Sequence, residues 1–185
     1  MWSSSHSFSY SYSGTKNVAS DYTDPTNPGS AMVSDLCSTF SALVDEPNAY
    51  NGCLQNWYEP EHTIGLHSDD ETQIRQDLPI FSLSWGGPRR FLFKSKNSQS
   101  EVLLAFSKEK EVLLSNGDLL VMGGRCQDVT KHEVPKYRKT KDPTPGRRVN
   151  WTVRAFDLGV GAKKKTTKTK KRKRENEVIV KTAEV

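Results

Sequence analysis

The sequence predicts a mainly β (α+β) fold, in which one N-terminal helix precedes two sheets stacked as a sandwich or jelly roll. Three observations carry that expectation. After Gly52 the chain breaks into short stretches rich in β-branched and aromatic residues. These are separated by turn signals at Gly86-Gly87-Pro88, Lys108-Glu109-Lys110, Asn116-Gly117 and the Pro- and Gly-containing stretch 141–146. Before Gly52, a single stretch has apolar residues at helical spacing, and no repeat of solenoid period is present. A chain of 185 residues accommodates one domain with a sizeable core.

The elements follow in chain order. Residues 1–28 are rich in Ser, Tyr, Asn, Asp and Pro. Within them, residues 6–14 alternate aromatic and small polar side chains, which predicts a strand with Phe8, Tyr10 and Tyr12 on one face and a turn at Ser13-Gly14. Met32, Leu36, Phe40 and Leu43 form an amphipathic stripe. The helix that carries it starts near Pro28 and ends before Pro47, with the stripe in the core. Strands are predicted over residues 53–58, 79–85, 90–94, 102–106, 111–114, 118–122, 129–134 and 148–156. Residues 159–185 lack the apolar content to pack and are expected to be a disordered tail. The domain proper therefore spans residues 29–158.

Charge is distributed unevenly. The net charge is +5, yet residues 163–174 alone hold nine Lys/Arg and no acid. Beyond them the net is −2, which leaves residues 1–162 at −2. The basic run fits a nuclear import signal or an arm for nucleic-acid phosphates, and a plain solvated tail is the alternative. Three cysteines in no CxxC spacing indicate neither a disulfide framework nor a zinc site, and free thiols suit a reducing compartment. The sequence holds no apolar run long enough for a membrane span and no secretory leader at its start, so no membrane partner is expected.

The chemistry gathers in three separated segments. His67-Ser68-Asp69 places an imidazole and a carboxylate two residues apart, on one side of an extended chain. His132 arrives from a distant strand. Two histidines and one carboxylate make the facial triad of non-haem iron oxygenases, which leaves three positions open on Fe(II). His62 and His6 are decoys by position. On the last strand, Arg148, Asn150, Thr152 and Arg154 share one face and Val149, Trp151 and Val153 the other. Two arginines facing inward need anions, either ordinary internal carboxylates or an acidic co-substrate such as 2-oxoglutarate. Leu54, Asn56 and Tyr58 share a face in the same way, with Trp57 opposite. Read together, these residues suggest an iron- and 2-oxoglutarate-dependent oxygenase.

The collinear set Asn56-Trp57-Tyr58, His67-Ser68-Asp69-Asp70-Glu71, Phe81-Ser82-Leu83-Ser84-Trp85-Gly86, Gly117-Asp118-Leu119-Leu120-Val121-Met122, His132-Glu133-Val134-Pro135 and Arg148-Val149-Asn150-Trp151-Thr152-Val153-Arg154 resembles the AlkB family of oxidative nucleic-acid dealkylases. The resemblance implies a double-stranded β-helix core and Fe(II) held by His67, Asp69 and His132. It places 2-oxoglutarate between Arg148 with Tyr58 at its distal carboxylate and Arg154 with Asn56 at its chelating end, Asn150 lying alongside. It also implies O2 as co-substrate and oxidative demethylation of N-alkylated bases in DNA or RNA, as in alkylation-damage repair. Asp70 matches a position set against the base, in a catalytic or substrate-binding role. Residues 1–28 resemble part of the family's nucleotide-recognition lid, in which Phe8, Tyr10 and Tyr12, with Trp85 nearby, would stack on an extruded base.

The lid looks short, which implies single-stranded substrates in preference to duplex. Trp151 and Val153 depart from the more usual Leu and Phe of the arginine strand. A monomer in the nucleus, directed there by residues 163–174, or otherwise in the cytoplasm, is expected. The competing readings are an oxygenase acting on a protein or small molecule, and a nucleic-acid-binding module with an inactive centre.

Overall fold

The computed structural model describes residues 1–5, 8–12, 15–97, 109–158 and 178–184. Its strands are β1 (Trp2–Ser4), β2 (Tyr10–Tyr12), β3 (Thr15–Asn17), β4 (Ala19–Asp21), β5 (Gly52–Tyr58), β6 (Ile64–His67), β7 (Ile80–Gly86), β8 (Arg89–Ser95), β9 (Glu109–Leu114), β10 (Asp118–Gly124), β11 (Thr130–Val134), β12 (Arg148–Arg154) and β13 (Val178–Glu184). Helix α1 (Ser30–Leu43) precedes β5, and the single turn α2 (Cys126–Val129) precedes β11.

Two sheets face each other, as expected of a jelly roll. The larger runs β13-β10-β7-β12-β5-β1-β4 and the smaller β6-β11-β8-β9, while β2 and β3 pair as a separate hairpin. Every pairing is antiparallel except β1 with β4. Strand parity divides the large sheet into two working faces. Ile80, Leu120 and Met122 turn inward to meet Phe91, Phe93, Leu114 and Val134 of the small sheet. Phe81, Val153 and Cys53 turn outward under α1.

The helix lies where its pattern puts it, but a neighbouring stripe does the packing. Val33, Cys37 and Phe40 are buried, whereas Met32 and Leu43 are exposed and Leu36 is half-buried. Both stripes contain Phe40, whose ring stacks on Phe81 at 4.1 Å. The Val33 stripe wins because the side chains on it are shorter, which lets Phe40 and Tyr50 fill the groove against the sheet. Gly29, at φ +77°, turns the chain into the helix in a conformation that disfavours any side chain.

Two other expectations change. The tail was expected to be unstructured from residue 159, yet β13 adds an edge strand to β10 with seven registered pairs, Asp118↔Glu184 to Gly124↔Val178. Val178-Ile179-Val180 and Thr182 are β-branched, and β10 otherwise presents an unpaired edge, so strand addition satisfies both. The N-terminus is likewise ordered into the fold: β1 sits between β5 and β4, and Trp2 is buried with its indole N–H donating to the Phe8 carbonyl. The hairpin predicted around Ser13-Gly14 is present as β2–β3, with Tyr10↔Asn17 and Tyr12↔Thr15 in register. The strand expected over residues 102–106 and the basic run 163–174 lie outside the described residues. The three cysteines are buried free thiols, and among the described residues no helix is long and apolar enough to cross a membrane.

The connection from β11 to β12 is pinned by Asp142. Its carboxylate accepts from Arg90 Nε (2.9 Å), the Arg138 backbone N–H (2.8 Å) and Arg138 Nε (2.9 Å). Burial works to raise this carboxyl, but the Arg138 and Arg90 hydrogen bonds outweigh it and hold the group at about 2. An unfolded aspartate titrates near pH ~4, so the stabilisation is complete above that value and is lost as pH falls toward the folded value. Thermal unfolding of Asp142→Asn beside the wild type should therefore show a Tm gap that is constant above about pH 5 and narrows toward pH ~2. A gap of constant size across that range would mean the carboxylate charge is not its source.

Candidate metal centre

The fold brings the three separated segments into one cavity of about 150 Å³ between the sheets. His67 closes β6 and His132 sits in β11, directly opposite it in the antiparallel register, with ring centroids 4.3 Å apart. Asp69, two residues past β6, reaches the same point. One ligand atom from each of the three lies within 4.8 Å of the others, and His67 Nε2 is 3.9 Å from Asp69 Oδ1. His67 Nδ1 is 2.8 Å from the Gly65 carbonyl oxygen. That oxygen can only accept, so Nδ1 carries the proton and Nε2 offers its lone pair toward Asp69.

The donor set suits a divalent ion. Asp69 and His132 are buried, yet among the described residues Asp69 Oδ1 and His132 Nδ1 have no hydrogen-bond partner. Burial disfavours the charged Asp69 carboxylate, but Arg154 and the nearby imidazoles more than offset it and hold the carboxyl below its ordinary value. Burial also pushes His132 down to about 4, only partly countered by Asp69, so its imidazole is neutral near pH 7 and able to ligate. A carboxylate and two imidazoles on one side of a cavity are the donors of an Fe(II) facial triad. The residues fit the group the sequence implies.

Around the triad, side chains that the sequence did not single out fix the geometry. Gln127 Oε1 accepts the Asp69 backbone N–H at 2.9 Å, Gln76 Nε2 donates to the Asp69 carbonyl at 3.1 Å, and Ser68 Oγ donates to the Thr130 carbonyl at 2.8 Å. His132 stacks on Phe91 at 5.2 Å. A buried glutamine in a one-turn helix has no sequence signature, which is why Gln127 was not legible.

The two arginines behave differently. Arg154 donates to Asp69 Oδ2 from Nη2 at 2.9 Å and from Nε at 3.2 Å, tying β12 to the metal loop. Here the ordinary internal carboxylate is the partner. Arg148 has no paired carboxylate among the described residues. It is buried beneath Tyr58, with its guanidinium carbon 5.1 Å from the ring centroid, and donates one bond to Ser84 Oγ at 2.7 Å. Its Nε and Nη1 have no hydrogen-bond partner among the described residues. Burial lowers its proton affinity, partly offset by Tyr58. A buried guanidinium with two unused donors fits one carboxylate of a small dicarboxylic acid. Tyr58, Asn56, Asn150 and Arg154 line the cavity itself. Asn150 is held in place by bonds from its Nδ2 to Ser82 Oγ and the Leu83 carbonyl.

A backbone clasp sets the height of Arg148. Gly87 N–H donates to the Arg147 carbonyl at 2.8 Å, and a Cβ on Gly87 would stand 2.3 Å from the Gly146 nitrogen.

The expected base contacts divide. Asp70 is exposed beside the triad, with its carboxylate 2.7 Å from Lys96 Nζ. Trp85 requires correction: it opposes Val149 on the outer face of the large sheet, because Ser82 and Ser84 take the inward parity on β7. Phe8 also lies elsewhere, packed in an aromatic cluster 5.5 Å from Trp2 and 5.1 Å from Phe156, and it is absent from the cavity wall. The side chains of Tyr10 and Tyr12 lie outside the described structure. Of the decoys, His62 accepts the Glu59 backbone N–H in a turn, and His6 lies outside the described residues.

Comparison with known proteins agrees with this geometry. The family model of the 2OG-Fe(II) oxygenase superfamily matches residues 1–154. The mouse protein named alpha-ketoglutarate-dependent dioxygenase alkB homolog 3 is 29% identical over 159 residues, covering 74% of this chain and 54% of that protein. The human DNA oxidative demethylase ALKBH2 is 33% identical over 111 residues (59% and 41%). The Arabidopsis thaliana DNA N(6)-methyladenine demethylase ALKBH1C is 32% identical over 116 residues (56% and 24%). The chain thus spans about half the length, or less, of these relatives.

Proposed function

The chain belongs to the 2OG-Fe(II) oxygenase superfamily and is AlkB-like within it, and from that premise we propose that it oxidatively removes N-alkyl groups from bases of DNA or RNA. The observation that carries this reading is the pairing of a complete His67–Asp69–His132 cluster with a buried, partly unpartnered Arg148 beside the same cavity. The names of the relatives supply the substrate class.

When bound, Fe(II) and 2-oxoglutarate supply with O2 the oxidising power that hydroxylates an N-methyl carbon, after which the methyl group leaves as formaldehyde. The protein's own part is positional. His67, Asp69 and His132 would hold the ion. Arg148 and Tyr58 would receive one carboxylate of 2-oxoglutarate, and Asn56, Asn150 and Arg154 would bound its other end. Phe91, Ile64, Met122 and Val134 in the wall exclude water from the reacting carbon. Damage repair is the role this activity serves in our reading, and the enzyme works as a monomer on single strands.

Residues 163–174 then act as an electrostatic arm and nuclear address, since phosphate contacts position a protein without reading bases. The test is a panel of methylated single-stranded DNA, duplex DNA and RNA, incubated with Fe(II) and 2-oxoglutarate and scored by mass spectrometry. Demethylation with stoichiometric succinate is expected, best on single strands. Turnover of 2-oxoglutarate without loss of any base methyl would remove the nucleic-acid reading and favour a protein or small-molecule substrate. In a parallel arm the nine basic residues of 163–174 become glutamine, which leaves β13 in place. Binding should weaken and its salt dependence flatten, while the ranking of methylated bases stays the same.

A further inference from the structure

We propose that Lys96 is a specificity-determining residue that competes with cationic bases for Asp70 and so opens the site to neutral methylated bases. The inference rests on the nucleic-acid reading above and adds the charge class of the substrate to it.

Asp70 follows the metal ligand Asp69 directly, and its carboxylate is 55% exposed. It is an exposed acid one residue from the triad, outside the residues that line the cavity, and the nucleic-acid reading sets it against the incoming base. That carboxylate is already engaged, because Lys96 Nζ donates to its Oδ2 at 2.7 Å. The lysine is well placed to stay there. It follows the last residue of β8, its backbone N–H donates to the Val129 carbonyl at 2.9 Å, and its side chain is 25% exposed.

Two chemical classes of methylated base differ at this point. Methylation of a ring nitrogen, as in 1-methyladenine, fixes a positive charge, whereas methylation of an exocyclic amine, as in N6-methyladenine, leaves the base neutral. A cationic base gains Asp70 only by displacing Lys96, so its electrostatic advantage is cut by the energy of the existing pair. A neutral base leaves the pair intact. Lys96 thus narrows the preference for cationic bases that an unpaired Asp70 would impose.

The experiment measures binding of single-stranded oligonucleotides carrying one 1-methyladenine, one N6-methyladenine or no methyl group. The protein is loaded with Fe(II) and 2-oxoglutarate under anaerobic conditions, where no oxidation occurs. Lys96→Gln removes one positive charge and weakens phosphate attraction for all three strands alike, so the ratio of dissociation constants isolates the contact with the base. That ratio should move toward 1-methyladenine by roughly two- to fivefold, the range of an exposed ion pair, and Lys96→Arg should keep the wild-type ratio. An unchanged ratio, or a shift toward N6-methyladenine, overturns the assignment of Lys96 while leaving the proposed activity standing. If neither methylated strand binds the wild type more tightly than the unmethylated one, the nucleic-acid reading itself falls, and the role of Lys96 falls with it.

Discussion

Replacing Asp69 with alanine should abolish turnover and lower stability in the same step. Asp69 is the only carboxylate of the triad, and a facial site that loses it keeps only two imidazoles. It is also the partner of Arg154, which donates two hydrogen bonds to Oδ2 in a fully buried setting. Breaking a buried ion pair by removing one member costs about 3–5 kcal/mol. For a chain of this size that corresponds to a fall in Tm of roughly 10 °C. Iron content, succinate production and thermal unfolding of Asp69→Ala provide the check. Full activity would remove Asp69 from the metal set. Lost activity with an unshifted Tm would mean that Arg154 finds another partner.

Arg148→Ala should act on a different axis. Arg148 Nε and Nη1 have no hydrogen-bond partner among the described residues, and its Nη2 donates to a neutral serine. Charge-assisted bonds of this kind contribute about 1.5–3 kcal/mol, so the KM for 2-oxoglutarate should rise on the order of 10- to 100-fold. The KM for a methylated oligonucleotide should change little, because Arg148 lies behind Tyr58, away from the triad loop that carries Asp70. Steady-state kinetics with each substrate varied in turn separates the two. Equal rises in both would mean that Arg148 supports the β5–β12–β7 packing and binds no co-substrate.

These expectations were largely readable before any coordinates, for a reason rooted in parity. On β12 the alternation Arg148, Asn150, Thr152, Arg154 against Val149, Trp151, Val153 allows one burial solution, and the structure adopts it. Leu54, Asn56 and Tyr58 on β5 follow the same logic. Where two solutions satisfy the pattern, the sequence could not choose. Helix α1 carries two apolar stripes, and packing against Phe81 selected Val33, Cys37 and Phe40. Trp85 has the aromatic character of a stacking residue, but its parity on β7 turns it to the outer face opposite Val149. The division of labour between the arginines was also invisible. Which of them meets Asp69 depends on how far the loop after β6 reaches across the two sheets, a distance no local pattern encodes. β13 follows a basic run whose composition is that of a disordered tail, although Val178-Ile179-Val180 itself has clear strand propensity.

The pleat of β12 also governs how this chain can change length during evolution. β12 is registered on both sides, residue by residue, against β5 and β7. A single inserted residue at its middle would carry the arginine nearer the break to the face beneath α1 and turn an apolar neighbour into the cavity. The flanking strands cannot follow without shifting their own side chains as well. Insertions between Pro135 and Gly146 meet no such constraint, since that connection is held by side-chain contacts of Asp142 and has no strand ladder. Length variation among descendants of this sequence should therefore collect between β11 and β12 and be absent from β5, β7 and β12, so that lineages diverge in their loops while the arginine strand keeps its count.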